Sequence, residues 1–211
     1  MRGPGIQQFV DEPDTITLFK YVHGTDVSFG LLEKNTEQKQ EIFDGYMAAR
    51  RVGGLPQWFK IARLQKSLRM TLKDLEAALM VDVGGVPGQG LIVSKRNIQI
   101  TPPVKGAKAY FLRDVLYNWS DVKSVQILSR IVEAMDPEYS TLLIDDYVLP
   151  DTVTKLRATE MDILMWLHTA GLERTLSQWK SLFGTVGLDL VKIWHSARGN
   201  ESVLEARVHR N

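Results

Sequence analysis

The chain has 211 residues, 44% hydrophobic and 24% charged, with 26 Lys and Arg against 25 Asp and Glu for a formal net charge of +1. That length allows one sizeable core or two small ones, and a balanced charge without long basic runs argues against nucleic acid or a membrane surface as partner. The lack of cysteine excludes a disulfide framework, a thiolate metal site and a cysteine nucleophile, and no apolar run approaches the roughly 20 residues that span a bilayer; the chain is read as soluble and cytoplasmic.

From about Thr15 to Leu79 the apolar residues recur at helical spacing, in "ITLFKYVHGT", "VSFGLLEKNTEQKQEIFDGYMAARR" and "LPQWFKIARLQKSL". Gly24, Gly53, Gly54 and Pro56 interrupt the pattern. "MTLKDLEAAL" adds a helix, with Thr71 as its N-cap and Asp74 and Glu76 in its first turns. Residues 1–76 are therefore a helical lead segment, and residues 77–211 a second, α/β unit.

Short apolar or alternating runs dominate after Leu79. "MVDVGG", "KAYFLRDVL", "STLLIDDYVLP", "GLDLVKIWH" and "SVLEARVH" are bounded by Gly, Pro, Ser or Asn and read as strands. "SDVKSVQILSRIVEAMD", "DTVTKLRATEMDILMWLHTAG" and the shorter "TLSQWKSLFGTVG" read as helices. Strands and helices in alternation predict a mainly parallel sheet covered by helices. Between them, "LIVS", "KRN" and "IQIT" (residues 91–104) predict a β-hairpin beside the first strand, with a shortened helix as the alternative.

Chemistry-bearing residues gather at strand ends. "VDVGGVPGQG" (81–90) is an apolar strand, an acid and a glycine cluster, an arrangement that lets a cofactor approach the backbone. "YFLRDVLYNWSD" (110–121), "LLIDDYVLPD" (142–151) and "GLERTLSQWKSLFGTVGL" (171–188) follow. Together these segments resemble the S-adenosylmethionine-dependent small-molecule O-methyltransferases of plants and fungi, above all the fungal natural-product enzymes. The resemblance implies a shortened Rossmann-like class I methyltransferase sheet behind the helical lead, with the family's winged-helix dimerisation domain absent. It implies cofactor contacts from Asp82, Gly84, Gly85 and Gly88. It places Asp146 and Glu173 as supporting carboxylates, and Asp162, Met165, Trp166 and Thr169 on a helix face lining the acceptor pocket; their i, i+3, i+4, i+7 spacing allows one shared face.

The same comparison exposes departures. The family pattern H-D/N-W-S/P-D becomes "YNWSD", so Tyr117 stands in the place of the catalytic histidine. Histidine titrates near 6.5 and tyrosine near 10, so a phenolate base at neutral pH costs on the order of 4 kcal/mol. Tyrosine is better suited to donating a hydrogen bond to a substrate oxygen. Arg113, four residues earlier, is a candidate to assist it if the backbone is helical there. Val86 replaces the middle glycine of the cofactor loop, and residues 91–104 are too few for the family's usual crossover.

Two functional readings follow. One is a protein of natural-product metabolism with lost or impaired methyl transfer, reusing its pocket for cyclisation, isomerisation or dehydration of a polyketide- or alkaloid-like substrate through Tyr117, Arg113, Asp146 and Glu173, with no cofactor required. The other is a functioning O-methyltransferase that binds S-adenosylmethionine and acts on a substrate hydroxyl; a non-catalytic binding or accessory protein is a third possibility. His23, His168, His195 and His209 are too scattered for a metal site. Trp119 and Trp179 read as core residues. The expected partner is a small molecule, with a homo-oligomer through the helical lead or an exposed sheet edge.

Overall fold

The computed structural model describes residues 21–22, 78, 80–84, 104–152, 156, 159, 160, 162, 163, 166, 171–195 and 201–210. The helical lead lies outside them except for Tyr21 and Val22, which are helical, and so does the hairpin expected over 91–104 apart from the exposed Val104.

All five expected strands form: β1 (Met80–Asp82), β2 (Ala109–Arg113), β3 (Thr141–Leu149), β5 (Leu188–His195) and β6 (Glu201–Val208). A two-residue strand, β4 (Arg174–Thr175), pairs parallel with β3 through Val148 and Leu149. The sheet order is β1-β2-β3-β6-β5. β1, β2 and β3 pair in parallel. β6 is antiparallel to both β3 and β5, so the sheet is mainly parallel, as expected, with β6 the one reversed strand among those described. The physical reason is the short link between β5 and β6: a few residues can reverse a chain, whereas a parallel return needs a crossover of about a dozen or more.

That crossover exists between β2 and β3. Helix α1 (Asp121–Ala134) buries Ser124, Ile127, Leu128, Ile131 and Ala134, a stripe at helical spacing. Ser120 caps it, its hydroxyl accepting the Lys123 amide at 3.4 Å, and Asp121 puts negative charge in the first turn. Helix α2 (Leu176–Thr185) starts with a reciprocal capping box: Thr175 Oγ1 accepts from Gln178 N at 3.3 Å, and Gln178 Oε1 accepts from Thr175 N at 2.8 Å.

Strand alternation divides the sheet between two faces. Tyr110, Leu112, Leu142, Ile144, Leu204 and Ala206 join the α1 stripe and Trp179, Leu182 and Phe183 of α2 in the main core. Ala109, Phe111, Leu143 and Val203 form a smaller cluster with Met80 and Trp194. Each fully buried Leu, Ile or Phe side chain contributes roughly 1.5–3 kcal/mol, so β3, buried along nearly its whole length, anchors the sheet. It also carries two adjacent acids to the sheet's C-terminal edge, where the chemistry-bearing segments meet.

Candidate functional site

β1 and β2 run in register, Asp82 opposite Phe111, and Val83 N donates to Phe111 O at 2.7 Å. The chain then turns at Gly84 with φ +90°, a conformation glycine adopts without the clash a Cβ introduces. Asp82 is half-buried at the strand end and Gly84 is exposed. A half-buried acid followed by a positive-φ glycine beyond a parallel strand fits an adenosylmethionine-type group, because the backbone there is open to close approach. Gly85, Val86 and Gly88 lie outside the described residues.

The other half of the site forms at the ends of β2 and β3. β2 stops at Arg113, and Asp114 takes φ +54°, the left-handed region that few side chains other than Asn and Asp tolerate. Its amide donates to Asp145 O at 3.2 Å and its carbonyl accepts from Asn118 Nδ2 at 3.2 Å. The backbone next makes a 3₁₀ turn, Leu116–Asn118, with half-buried Tyr117 in its middle. No helix runs from 113 to 117, so the helical route by which Arg113 was to reach Tyr117 is not taken. The Arg113 guanidinium instead lies 3.2 Å from Asp145 and 3.9 Å from Asp114.

Asp145 and Asp146 are neighbours on a strand and so point to opposite faces. Asp145 has the Arg113 cation. Asp146 is 1% exposed; its Oδ1 accepts the Tyr147 amide at 2.9 Å, and its Oδ2 has no hydrogen-bond partner among the described residues. Burial pushes the Asp146 carboxyl well above the usual carboxylate range, and the Glu173 and Asp114 carboxylates push it the same way; the Tyr147 amide and the Arg174 charge oppose the shift without cancelling it. A carboxyl in this state holds its proton more tightly than an ordinary carboxyl does. The buried Glu173 carboxyl is its partner in that shift.

Residues 171–175 close the site. Leu172 N donates to Tyr117 O at 3.0 Å, which lays the tyrosine turn against the segment carrying Glu173, just before β4. Glu173 N donates to Asp162 Oδ1 at 2.9 Å, so Asp162 is brought to the same place. Trp166 is helical and 42% exposed, while Met165 and Thr169, expected on the same face, and His168 lie outside the described residues. Trp179 is buried at 1% exposure, and Trp119 packs half-buried against the main core. Of the expected site residues, the structure links Tyr117, Glu173 and Asp162 through backbone hydrogen bonds and sets Asp146 against Glu173 electrostatically.

Sequence reading missed Arg174. Its side chain is fully buried, and its guanidinium donates to Asp121 Oδ1 (2.8 Å), Leu116 O (2.9 Å), Trp119 O (2.9 Å) and Ser124 Oγ (3.0 Å). It also stacks 5.4 Å from the Trp179 ring centre. Nothing in "LERTLSQW" marks the arginine as buried, since its partners lie some fifty residues earlier in the chain. Among the described residues no group of three or more His, Asp or Glu could hold a metal ion, and no helix is long and apolar enough to cross a membrane.

Comparison with known proteins agrees with this architecture. Residues 97–189 match the O-methyltransferase domain family. Demethylsterigmatocystin 6-O-methyltransferase stcP of Emericella nidulans is 34% identical over 145 residues, 66% of this chain and 71% of that protein. Against other fungal methyltransferases the chain spans only 33% or 26% of their length. Among solved structures, LepI in complex with SAM superposes on 98% of this chain and 62% of its own, with a TM-score of 0.77 and 25% identity. OxaC in complex with SAH and oxaline covers 61% of this chain and 35% of its own, with a TM-score of 0.54 and 28% identity. LepI and OxaC thus carry the methyl-donor cofactor or its product, a finding that overturns the expectation of a cofactor-free site.

Proposed function

The chain belongs to the S-adenosylmethionine-dependent O-methyltransferase family of fungal natural-product metabolism, and from that premise we propose that it methylates a hydroxyl of a small polyketide- or alkaloid-like molecule, with the Asp146 and Glu173 carboxyl pair receiving the proton in place of an imidazole. The observation that carries the reading is the buried Asp146 carboxyl with raised proton affinity, set against Glu173 beside the Tyr117 turn. When bound, S-adenosylmethionine supplies a methyl group activated on a positively charged sulfur. Asp82 and Gly84, with Gly85 and Gly88, would hold it.

The protein's own residues then divide the work. The Tyr117 phenol donates a hydrogen bond to the acceptor oxygen, a task that suits its high pKa. The acceptor hydroxyl gives up its proton to the ionised member of the carboxyl pair, leaving the oxygen free to take the methyl group that S-adenosylmethionine would supply as its carbon–sulfur bond breaks. Proton transfer to a positioned group of this kind contributes roughly 10²–10⁴-fold. Asp162 and Trp166, with Met165 and Thr169, orient the acceptor.

A second reading keeps the cofactor bound but transfers no methyl group. The Tyr117 phenol and the protonated carboxyl then polarise a substrate carbonyl for cyclisation, isomerisation or dehydration. It is favoured by the tyrosine standing where the family has its imidazole base.

One experiment separates the readings. The protein is titrated with S-adenosylhomocysteine by calorimetry, then incubated with S-adenosylmethionine and either demethylsterigmatocystin or meleagrin, molecules named with the relatives. Micromolar binding and a product heavier by one methyl group are expected. Absence of binding at millimolar ligand overturns both readings. Binding with a rearranged product of unchanged mass selects the second.

A further inference from the structure

We propose that Arg174 is the positioning residue of the acceptor site, its guanidinium setting the Tyr117 turn against the segment that carries Glu173 into β4. The inference rests on the reading of Tyr117 and Glu173 as acceptor-site groups, and the structure supplies the geometry. Arg174 is the next residue to Glu173, so any displacement of one moves the other. Its Nη1 bonds the carbonyl of Leu116, the residue before Tyr117, and its Nη2 bonds the carbonyl of Trp119, two residues after it. The tyrosine is therefore bracketed by two backbone bonds to one rigid group. The Leu172 amide bonds the carbonyl of Tyr117 itself, so the turn is held from both sides of Glu173.

The remaining bonds hold the guanidinium in turn. Asp121 and Ser124 lie in the first turn of α1, where Asp121 supplies the counter-charge at 2.8 Å and the Ser124 hydroxyl takes a further N–H. The Trp179 ring of α2 covers the guanidinium at 5.4 Å. A planar fork with five donors suits this set, because its acceptors come from a turn, a helix end and a serine at fixed angles. A lysine ammonium supplies the charge but not the fork. Arg174 also opposes the upward shift of the Asp146 carboxyl, so the group that places the phenol adjusts the proton affinity of the acid pair as well.

Amide hydrogen exchange tests the proposal without a substrate. In R174K the Leu172 and Trp119 amides are expected to exchange about tenfold faster, the cost of roughly one charged hydrogen bond, while amides of β3 and β6 stay within about twofold. Asp121→Asn removes the counter-charge while keeping an acceptor oxygen, and its expected effect on Leu172 is about threefold; it serves if R174K does not fold. Unchanged exchange at Leu172 in the folded variants overturns the proposal, and so does an equal rise across β3 and β6, which marks a general stabilising role. Kinetics supply the second readout: with the methyl acceptor, kcat falls about tenfold while the S-adenosylhomocysteine affinity is unchanged. A wild type that binds the cofactor but methylates nothing defeats the functional reading and leaves the exchange result standing.

Discussion

The two halves of the site are built from different materials. On the donor side, beyond β1, the described groups are a half-buried acid and an exposed glycine at φ +90°. On the proposed acceptor side, in β3 and the residues around the start of β4, the parts are buried charges: Asp146 at 1% exposure, Glu173 at 5% and Arg174 at 1%. A backbone cradle depends on the absence of side chains. A charged site depends on every partner being present, because a buried charge left without compensation costs several kcal/mol. The contrast teaches that the acceptor side is the half where single substitutions should do most damage to chemistry.

Asp146→Asn probes that most directly. It removes one member of the proton-sharing carboxyl pair while nearly conserving shape, so methyl transfer is expected to fall roughly 10²–10⁴-fold, with cofactor affinity within about twofold; transfer near the wild-type rate would sever the carboxyl pair from the mechanism. The same variant has a signature in stability. A carboxyl whose pKa is raised on folding binds its proton more tightly in the folded state, so the stability it contributes is complete below the ordinary carboxylate range and is lost as pH rises through the raised value. Denaturation midpoints measured between about pH 4 and pH 8 should therefore decline more steeply in wild type than in Asp146→Asn.

Trp179→Ala comes next. The ring is buried, covers Arg174, and donates from Nε1 to Tyr147 O at 3.1 Å. Its loss should cost about 3–5 kcal/mol in urea denaturation, with acceptor-side function lost along with packing. Gly84→Ala tests the donor side. A Cβ at φ +90° costs roughly 1–2 kcal/mol, expected as a drop of about tenfold in S-adenosylhomocysteine affinity; an unchanged affinity would show that Gly84 is not part of the cradle. Asp114 gives the smallest effect. Asp114→Asn keeps a residue type that tolerates φ +54° and should change stability by no more than about 0.5 kcal/mol. It also removes one carboxylate that repels Asp146, so the pH decline of stability should soften slightly.

Much of the fold was legible in the chain because strands and helices announce themselves locally. "AYFLR" and "TLLIDDYVL" are apolar enough to be buried strands wherever they sit, and Ile127, Leu128, Ile131 and Ala134 repeat at helical spacing. Strand direction is a different kind of fact. The alternation in "SVLEARV" shows which side chains share a face, but β6 lies antiparallel between β3 and β5 because its pairing partner is chosen in three dimensions. The idea of a helix bringing Arg113 to Tyr117 failed for a similar reason: strand pairing with β3 holds the backbone extended to Arg113, and the left-handed Asp114 then redirects it.

The residue types of the site were therefore determined by the sequence itself: a tyrosine where the family has a histidine, two acids at the expected separations, and a strand ending in an acid and glycines. The tertiary structure decided their states. Asp145 and Asp146 are the same residue type on the same strand, yet one faces a guanidinium and the other faces two carboxylates. Arg174 became the centre of a buried hydrogen-bond network because folding brings the first turn of α1 to it from some fifty residues away. Composition and spacing specify which groups a chain owns, whereas proton affinity and hydrogen bonding depend on burial and on neighbours that only the packed sheet assembles.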